Sequence, residues 1–279
     1  MSEMEFVISP PGKLIRVDWR ELKRYRDLFF VLARRDIAVR YKQTALGIFW
    51  AVLQPFVTMV VFTFIFHVIG KVPTEFRAPY PIFLYVGLLF WRYYSETLNN
   101  AANSMVVNAG LIQKIYFPRL IVPITAATTG LVDFGIGALI LAGMMIYYGY
   151  IPSLTGILIL PALMVCAVLC ALGSGLFAAS LNVKYRDVRH ALPFFISTLM
   201  FVTPVVYSAQ ALDKYPVAKT LMLWLNPISG VISSARTGLL SPQPVDWGTL
   251  GVSALMGALV FTCGLYYFRN AERYFADIV

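Results

Sequence analysis

Polar residues dominate the chain as far as Thr44, and from Ala45 onward apolar residues come in long blocks. A bilayer-crossing helix needs about 20 apolar residues. Six blocks reach that length, predicting spans at about 45–69, 80–99, 121–149, 154–181, 191–209 and 249–268. Between the fifth and sixth lie two apolar stretches too short to cross, 217–225 and 228–240, separated by Asn226-Pro227. Two half-length helices around such a break predict a re-entrant hairpin over 215–242, with a loosely packed external loop as the alternative. The expected fold is all-α and integral to the membrane, with a polar segment at 1–44 and a six-span domain at 45–279.

The polar segment has its own pattern. After a turn at Ser9-Pro10-Pro11-Gly12, Asp18 reads as an N-cap, with Glu21 completing a capping box. Leu22, Tyr25, Phe29 and Leu32 then recur at helical spacing, while Lys23, Arg24, Arg34 and Arg35 take other faces. This predicts an amphipathic helix lying in the membrane interface. Over Arg34–Pro55 the chain passes from charged (Arg35, Asp36, Arg40) to apolar, which sets a membrane boundary near Thr44. With so many polar residues before it, the first apolar block is expected to be an uncleaved anchor. Gln54-Pro55 is the expected bend in the first span.

Composition agrees. The 279 residues are 59% hydrophobic and 13% charged, with a mean hydropathy of +0.71, against about 25% charged for soluble domains. The net charge of +9 flanks the spans and does not form a soluble basic patch, so no nucleic acid partner is expected. If both termini are cytoplasmic, seventeen of the 23 Lys and Arg residues fall inside and five outside (Lys71, Arg77, Lys214, Lys219, Arg236), with Arg92 in a span. This asymmetry fixes the expected orientation. Cys166, Cys170 and Cys263 lie in apolar runs without His or carboxylate company and read as packing residues.

Sites of chemistry are sparse. There is no G-x-x-x-x-G-K-[ST] phosphate loop, so no ATPase site of its own is expected. His67 and His190 stand far apart, and no nucleophile set, metal cluster or paired carboxylates emerge. Ionisable residues in spans are costly unless paired. Arg92 and Glu96, at i and i+4, are placed to pair with each other. Asp133 has no local partner and is expected to meet a basic residue across a dimer. Gly173, Gly175 and Ala179 predict close helix packing.

Three segments on the predicted cytoplasmic side carry a specific pattern. The first is R-D-x-x-x-R-Y-K-Q-T-x-L-G-x-x-W-x-x-L-Q-P at Arg35–Pro55. The second is N-x-x-L-I-x-K-x-Y-F-P-R, giving Asn108, Leu111, Ile112, Lys114, Tyr116, Phe117 and Arg119. The third is Tyr185-Arg186-Asp187, with Leu225-Asn226-Pro227 further on. Together they resemble the membrane subunits of ABC-2-type polysaccharide exporters, which serve O-antigen, capsular polysaccharide and teichoic acid export.

The resemblance implies a homodimeric permease in the bacterial inner membrane, moving a lipid-linked polysaccharide. Two separate ATPase subunits would carry ATP-Mg, and this chain would bind no cofactor. It implies that the Asn108–Arg119 loop couples to the ATPase, supported by Tyr185, Arg186, Asp187 and the interfacial helix with Tyr25, Phe29, Arg35, Asp36 and Arg40. It places spans one and five at the conduit, where Trp50, Phe56, Phe201 and Tyr207 offer rings to sugar C–H faces. The alternatives are an ABC-2 exporter of drugs or small lipids and an integral membrane glycosyl or lipid transferase. The second would need a clustered acidic or His site, and Asp36, Asp187 and Glu272 are scattered.

Overall fold

The computed structural model describes residues 19–42, 49–71, 78–185, 187–241 and 245–272. Every regular element among them is helical: α1 (Trp19–Arg24), α2 (Arg26–Lys42), α3 (Phe49–Phe62), a π-helical stretch (Thr63–Ile69), α4 (Tyr80–Val107), α5 (Ala109–Ile112), α6 (Ile121–Tyr147), α7 (Leu154–Lys184), α8 (Val188–Val202), a 3₁₀ turn (Ala209–Leu212), α9 (Pro216–Leu225), α10 (Pro227–Leu240) and α11 (Trp247–Ala271). Asp18, the predicted N-cap, and the boundary at Thr44 lie outside the described residues. So do Arg186 and both termini.

α4 is the axis of the bundle, packed against α6, α7 and α10. Ile82, Phe83, Leu84, Tyr85 and Phe90 on this helix are among the largest fully buried side chains. Two apolar cores form around it. The larger joins the first part of α4 to α7 and α10. The smaller, at the opposite end, gathers Leu32, Met105, Phe117, Leu120, Leu176 and Phe268 from α2, α4, the loop before α6, α7 and α11. Leu22, Tyr25 and Phe29 pack on the smaller core, which seats α1 and α2 against the bundle as the heptad-like spacing of their apolar residues demands.

Among the described residues, four helical segments are long and apolar enough to cross a membrane: Val52–Ile69, α6, α7 and α11. The other two expected spans differ from the sequence reading. α4 has length to spare, at 28 residues, and continues well past the expected end near residue 99. Arg92, Glu96, Asn99, Asn100 and Asn103 dilute its apolarity, and neighbouring helices cover it instead. The expected fifth span (191–209) is shorter, since α8 has 15 residues and ends at Val202. At about 1.5 Å per residue it falls short of a hydrocarbon core of about 30 Å.

The cause lies in Pro204 and Arg236. The residue before a proline is driven to extended backbone, and Thr203 sits at φ −79°, ψ 139°. The carbonyls this frees are gathered by one side chain. Arg236 of α10 donates from Nη1 to Pro204 O (2.6 Å) and Tyr207 O (3.0 Å), from Nη2 to Val205 O, and from Nε to Phe83 O (3.1 Å). Its guanidinium also lies 3.7 Å from the centre of the Phe83 ring. Arg236, counted from sequence among the charges on the outer side, is 2% exposed and acts as a buried clamp. Asn226, at the break between α9 and α10, donates to Thr203 Oγ1 at 2.7 Å.

Small residues set several of the closest contacts. α7 and α11 cross with Gly173 against Gly264, where an added Cβ on Gly264 would fall 2.1 Å from Gly173 O. Cys170 faces Gly257 across the same interface, and both Cys166 and Cys170 are buried, in keeping with packing roles. α3 runs unbroken through Pro55, and its irregularity lies beyond, in the π-helical stretch.

Two outcomes are expected. Gly264→Ala, which must push α11 off α7 backbone, costs about 1–3 kcal/mol and lowers the thermal midpoint of the detergent-solubilised protein by several degrees. Asp246 caps α11, accepting from Gly248 N (3.0 Å), Thr249 N (3.3 Å) and the Thr249 hydroxyl. The Thr249 hydroxyl, together with those backbone donors, holds the Asp246 carboxyl below its usual range despite partial burial. A lowered folded-state value gives stability that is complete above the ordinary carboxylate pKa and is lost as pH falls through the folded value. The stability gap between wild type and Asp246→Ala should therefore close on acidification below about pH 4, the ordinary carboxylate value, when followed by thermal melts.

Candidate functional site: the α2 end of the bundle

The elements that meet at the smaller core bring together two of the segments singled out in the sequence, α2 and Asn108–Arg119, with Val183 of α7 in the same core two residues before Tyr185. α5 is a single turn of four residues, ending well before Pro118, where the sequence pattern would let a helix run. Leu111 and Ile112 on one side and Phe117 on the other anchor the loop into the core. Between these anchors, Gln113, Lys114, Ile115 and Tyr116 are exposed, Tyr116 at 82%. The Glu21 carboxylate of α1, with some burial, holds the Tyr116 hydroxyl above its usual range. Arg119 donates from Nη1 to Glu272 O at 2.5 Å, tying the loop to the end of α11. Tyr185, half exposed, follows α7 and lies 5.1 Å below the Lys184 ammonium. Asp187 starts α8 through its carbonyl, which accepts from His190 N and Ala191 N.

α2 is bound to the bundle by polar side chains as well as by its apolar face. Arg35 Nη2 donates to Asn108 Oδ1 (2.7 Å) and pairs with Asp36 Oδ1 (2.7 Å), while Asp36 Oδ2 accepts from Thr125 Oγ1 (3.3 Å). A turn further on, Arg40 enters the bundle. Its Nη2 reaches Glu96 Oε2 of α4 at 2.5 Å, and its Nη1 stands 2.8 Å from Asp133 Oδ2 of α6. Tyr41 adds its hydroxyl to Asp133 Oδ1. Glu96 Oε1 in turn accepts from Arg92 Nε at 2.8 Å, the i,i+4 pair expected from sequence. Arg92 Nη2 donates to Gln54 Oε1 of α3 at 3.2 Å.

The expectation that Asp133 would find its cation across a dimer is thereby corrected: its partner is Arg40 of the same chain. Two guanidiniums and two carboxylates alternate, so the cluster is neutral and each charge has an opposite neighbour, which is what low-dielectric surroundings require. Beneath it lies a cavity of about 20 Å³, lined by Arg92, Glu96 and Asp133 with Tyr85 and Tyr93, a size that suits one water. Above it opens a polar cleft of about 630 Å³ between α2, α4 and α6, lined by Arg35, Asn99, Asn103, Asn108 and Thr129 among others.

The four aromatic residues assigned to the conduit lie on α3, on α8 and in the turn after α8. Trp50, Phe56 and Phe201 are exposed on the chain, and Phe56 lines an apolar groove of about 770 Å³ between α3 and α6. Tyr207 is half-buried and donates its hydroxyl to Val202 O at 2.9 Å. α3 packs on α4 and α6, and α8 on α4 and α7. Sequence reasoning missed the bond of Gln54 to Arg92 and the roles of Tyr41 and of Asn182, which donates to Ala102 O at 3.0 Å and to Asn103 Oδ1 at 3.1 Å. The usable signal was their polarity beside or within apolar blocks.

An all-helical bundle with four described segments long and apolar enough to cross a membrane defines a multi-pass integral membrane protein. The chain belongs to the ABC-2 type transporter family, whose profile matches residues 27–240. Its relatives are more particular. It is 26% identical over 253 residues to the O-antigen export system permease protein RfbA of Klebsiella pneumoniae, covering 91% of this chain and 95% of that one. Over 262 residues it is 26% identical to the Myxococcus xanthus protein of the same name, covering 93% and 98%. It is 22% identical over 242 residues to the polysialic acid transport protein KpsM of Escherichia coli, covering 86% and 91%.

Asp133→Ala removes one arm of the Arg40 bridge. The expected loss is about 2–3 kcal/mol, below the 3–5 typical of a fully buried pair, because Arg40 keeps Glu96 and its side chain is 30% exposed. Denaturation of the purified protein in detergent measures it.

Proposed function

We propose that this chain is the permease subunit of an ABC exporter that moves a lipid-linked polysaccharide across the bacterial inner membrane. The observation that carries this reading is the loop at Gln113–Tyr116, held at both ends by the smaller core yet exposed at its tip. A firmly anchored tip can receive a push and pass it on, and α1 and the end of α11 stand beside it. O-antigen and polysialic acid transport in the relatives' names supports a polysaccharide as the cargo. Nothing in the relatives' names favours a drug or small-lipid cargo.

In this reading two copies of the chain pair, and two ATPase subunits dock at the α2 end, which faces the cytoplasm with both termini. Lys114 and Tyr116 contact the ATPase, Tyr185, Arg186 and Asp187 support that coupling, and ATP-Mg is bound and hydrolysed on those subunits alone. α9 and α10 form the re-entrant hairpin on the outer side. α8 with the turn clamped by Arg236 completes the fifth crossing, and Trp50, Phe56, Phe201 and Tyr207 offer ring faces to the passing glycan. Closure of the ATPase pair would shift the anchored loop and α2 and rock the spans between two states.

Reconstitution with the cognate ATPase tests this. Lys114→Ala with Tyr116→Ala should leave the melting profile intact, since both side chains are exposed, and lower ATP-dependent glycan export at least tenfold. Unchanged export would remove the loop from the coupling path. Deleting the gene should trap lipid-linked glycan inside the cell; a surface glycan that stays intact would overturn the cargo.

A further inference from the structure

The charged cluster does more than neutralise itself, because its members lie on four different helices in a fixed order. α2 contributes Arg40, α4 contributes Glu96 and Arg92, α6 contributes Asp133, and α3 contributes Gln54. α3 has few other holds: only 6% of the Val52–Ile69 window is buried in the chain. Among the described residues, the Gln54 side chain makes the polar bond from α3 itself to another helix. The π-helical stretch beyond it leans on α4 through His67, stacked on Tyr80 at 4.8 Å. Gln54 immediately precedes Pro55, whose missing N–H leaves the helix one hydrogen bond short at that turn.

We propose that Arg40 is a positioning residue that sets the orientation of α3 through the relay Arg40–Glu96–Arg92–Gln54, so that a displacement of α2 is carried to the first span. The physical reason is the restriction on where Glu96 can point. Its two oxygens are divided between two guanidiniums, Oε2 to Arg40 and Oε1 to Arg92. Withdrawing Arg40 leaves Glu96 with one cation, free to close bidentately on Arg92. Arg92 then turns its fork away from Gln54, and α3 loses its polar hold. Asp133 keeps the other side of Arg40 fixed to α6, so the relay has a rigid support. Lysine cannot replace the fork, since a single ammonium offers no second, coplanar arm for the other carboxylate. The transmission role of this relay in export rests on the proposed function; the relay itself does not.

Hydrogen–deuterium exchange of the full chain in nanodiscs tests the relay without any partner. Arg40→Gln should speed exchange of the α3 amides at 56–62 about tenfold, although those amides lie on another helix. Arg40→Lys should restore only part of the protection. Gln54→Ala, which leaves α2 untouched, should loosen the same amides, and the double variant should add nothing further. Arg35→Gln, whose side chain binds Asn108 outside the relay, should loosen α2 and leave α3 as in the wild type. Wild-type exchange of α3 in Gln54→Ala, or equal loosening of α3 by Arg35→Gln, would overturn the relay.

With the cognate ATPase in vesicles, Gln54→Ala should retain ATP hydrolysis while export falls about tenfold. Normal export by that variant would overturn the transmission role. A wild-type protein that shows the exchange pattern yet moves no glycan would uphold the relay and overturn the cargo.

Discussion

Arg40 sits between two carboxylates that the chain could not otherwise leave inside an apolar bundle. Glu96 and Asp133 belong to helices with few other charges, and an unpaired carboxylate there would cost several kcal/mol. The guanidinium answers both because it is planar and forked, with donors facing two directions. Meeting this demand fixes where α2 can lie. Its last turns must enter the cleft between α4 and α6, and its apolar face must then cover the smaller core. The seating of α2, the loop anchored on the same core and the polar cleft between them all follow from that one bridge.

The opposite end of the bundle obeys the same rule with different chemistry. Pro204 stops α8 early, and the freed carbonyls cannot reach water where the chain is buried. Arg236 collects them, with its plane over the Phe83 ring, and Asn226 takes the Thr203 hydroxyl. A buried charge here is met by backbone dipoles. The consequence is architectural. The break between α9 and α10, which looks like an interruption, supplies the groups that hold the end of α8 in place. Cation and broken helix are therefore one device.

Between these ends the bundle is held mainly by shape. Glycines at the α7–α11 crossing bring backbones into contact, and α4 is enclosed by its neighbours despite carrying the most polar sequence of the long helices. α3 is the exception, packed lightly and exposed along most of its length. In a permease of the ABC-2 type such a helix is free to face lipid, a second copy or a cargo. Its single side-chain hydrogen bond to α4 then matters more than it would in a buried helix, since few other contacts oppose its movement.

The sequence alone determined the helical class, the positions of most long apolar helices, the Arg92–Glu96 pair and the three segments that mark the family. Each is encoded locally: apolar runs need only length, an i,i+4 pair needs only helical pitch, and a motif is contiguous by definition. Tertiary structure decided what had no local signature. The cation for Asp133 stands 93 positions away at Arg40, a separation no periodicity reveals. Arg236 looked like one more external charge because its acceptors are backbone carbonyls, which carry no sequence signal. The early end of α8 has a local mark in Pro204, but the apolar run that continues past it masks the stop. Hydropathy records what a residue avoids; only the folded chain records what it found.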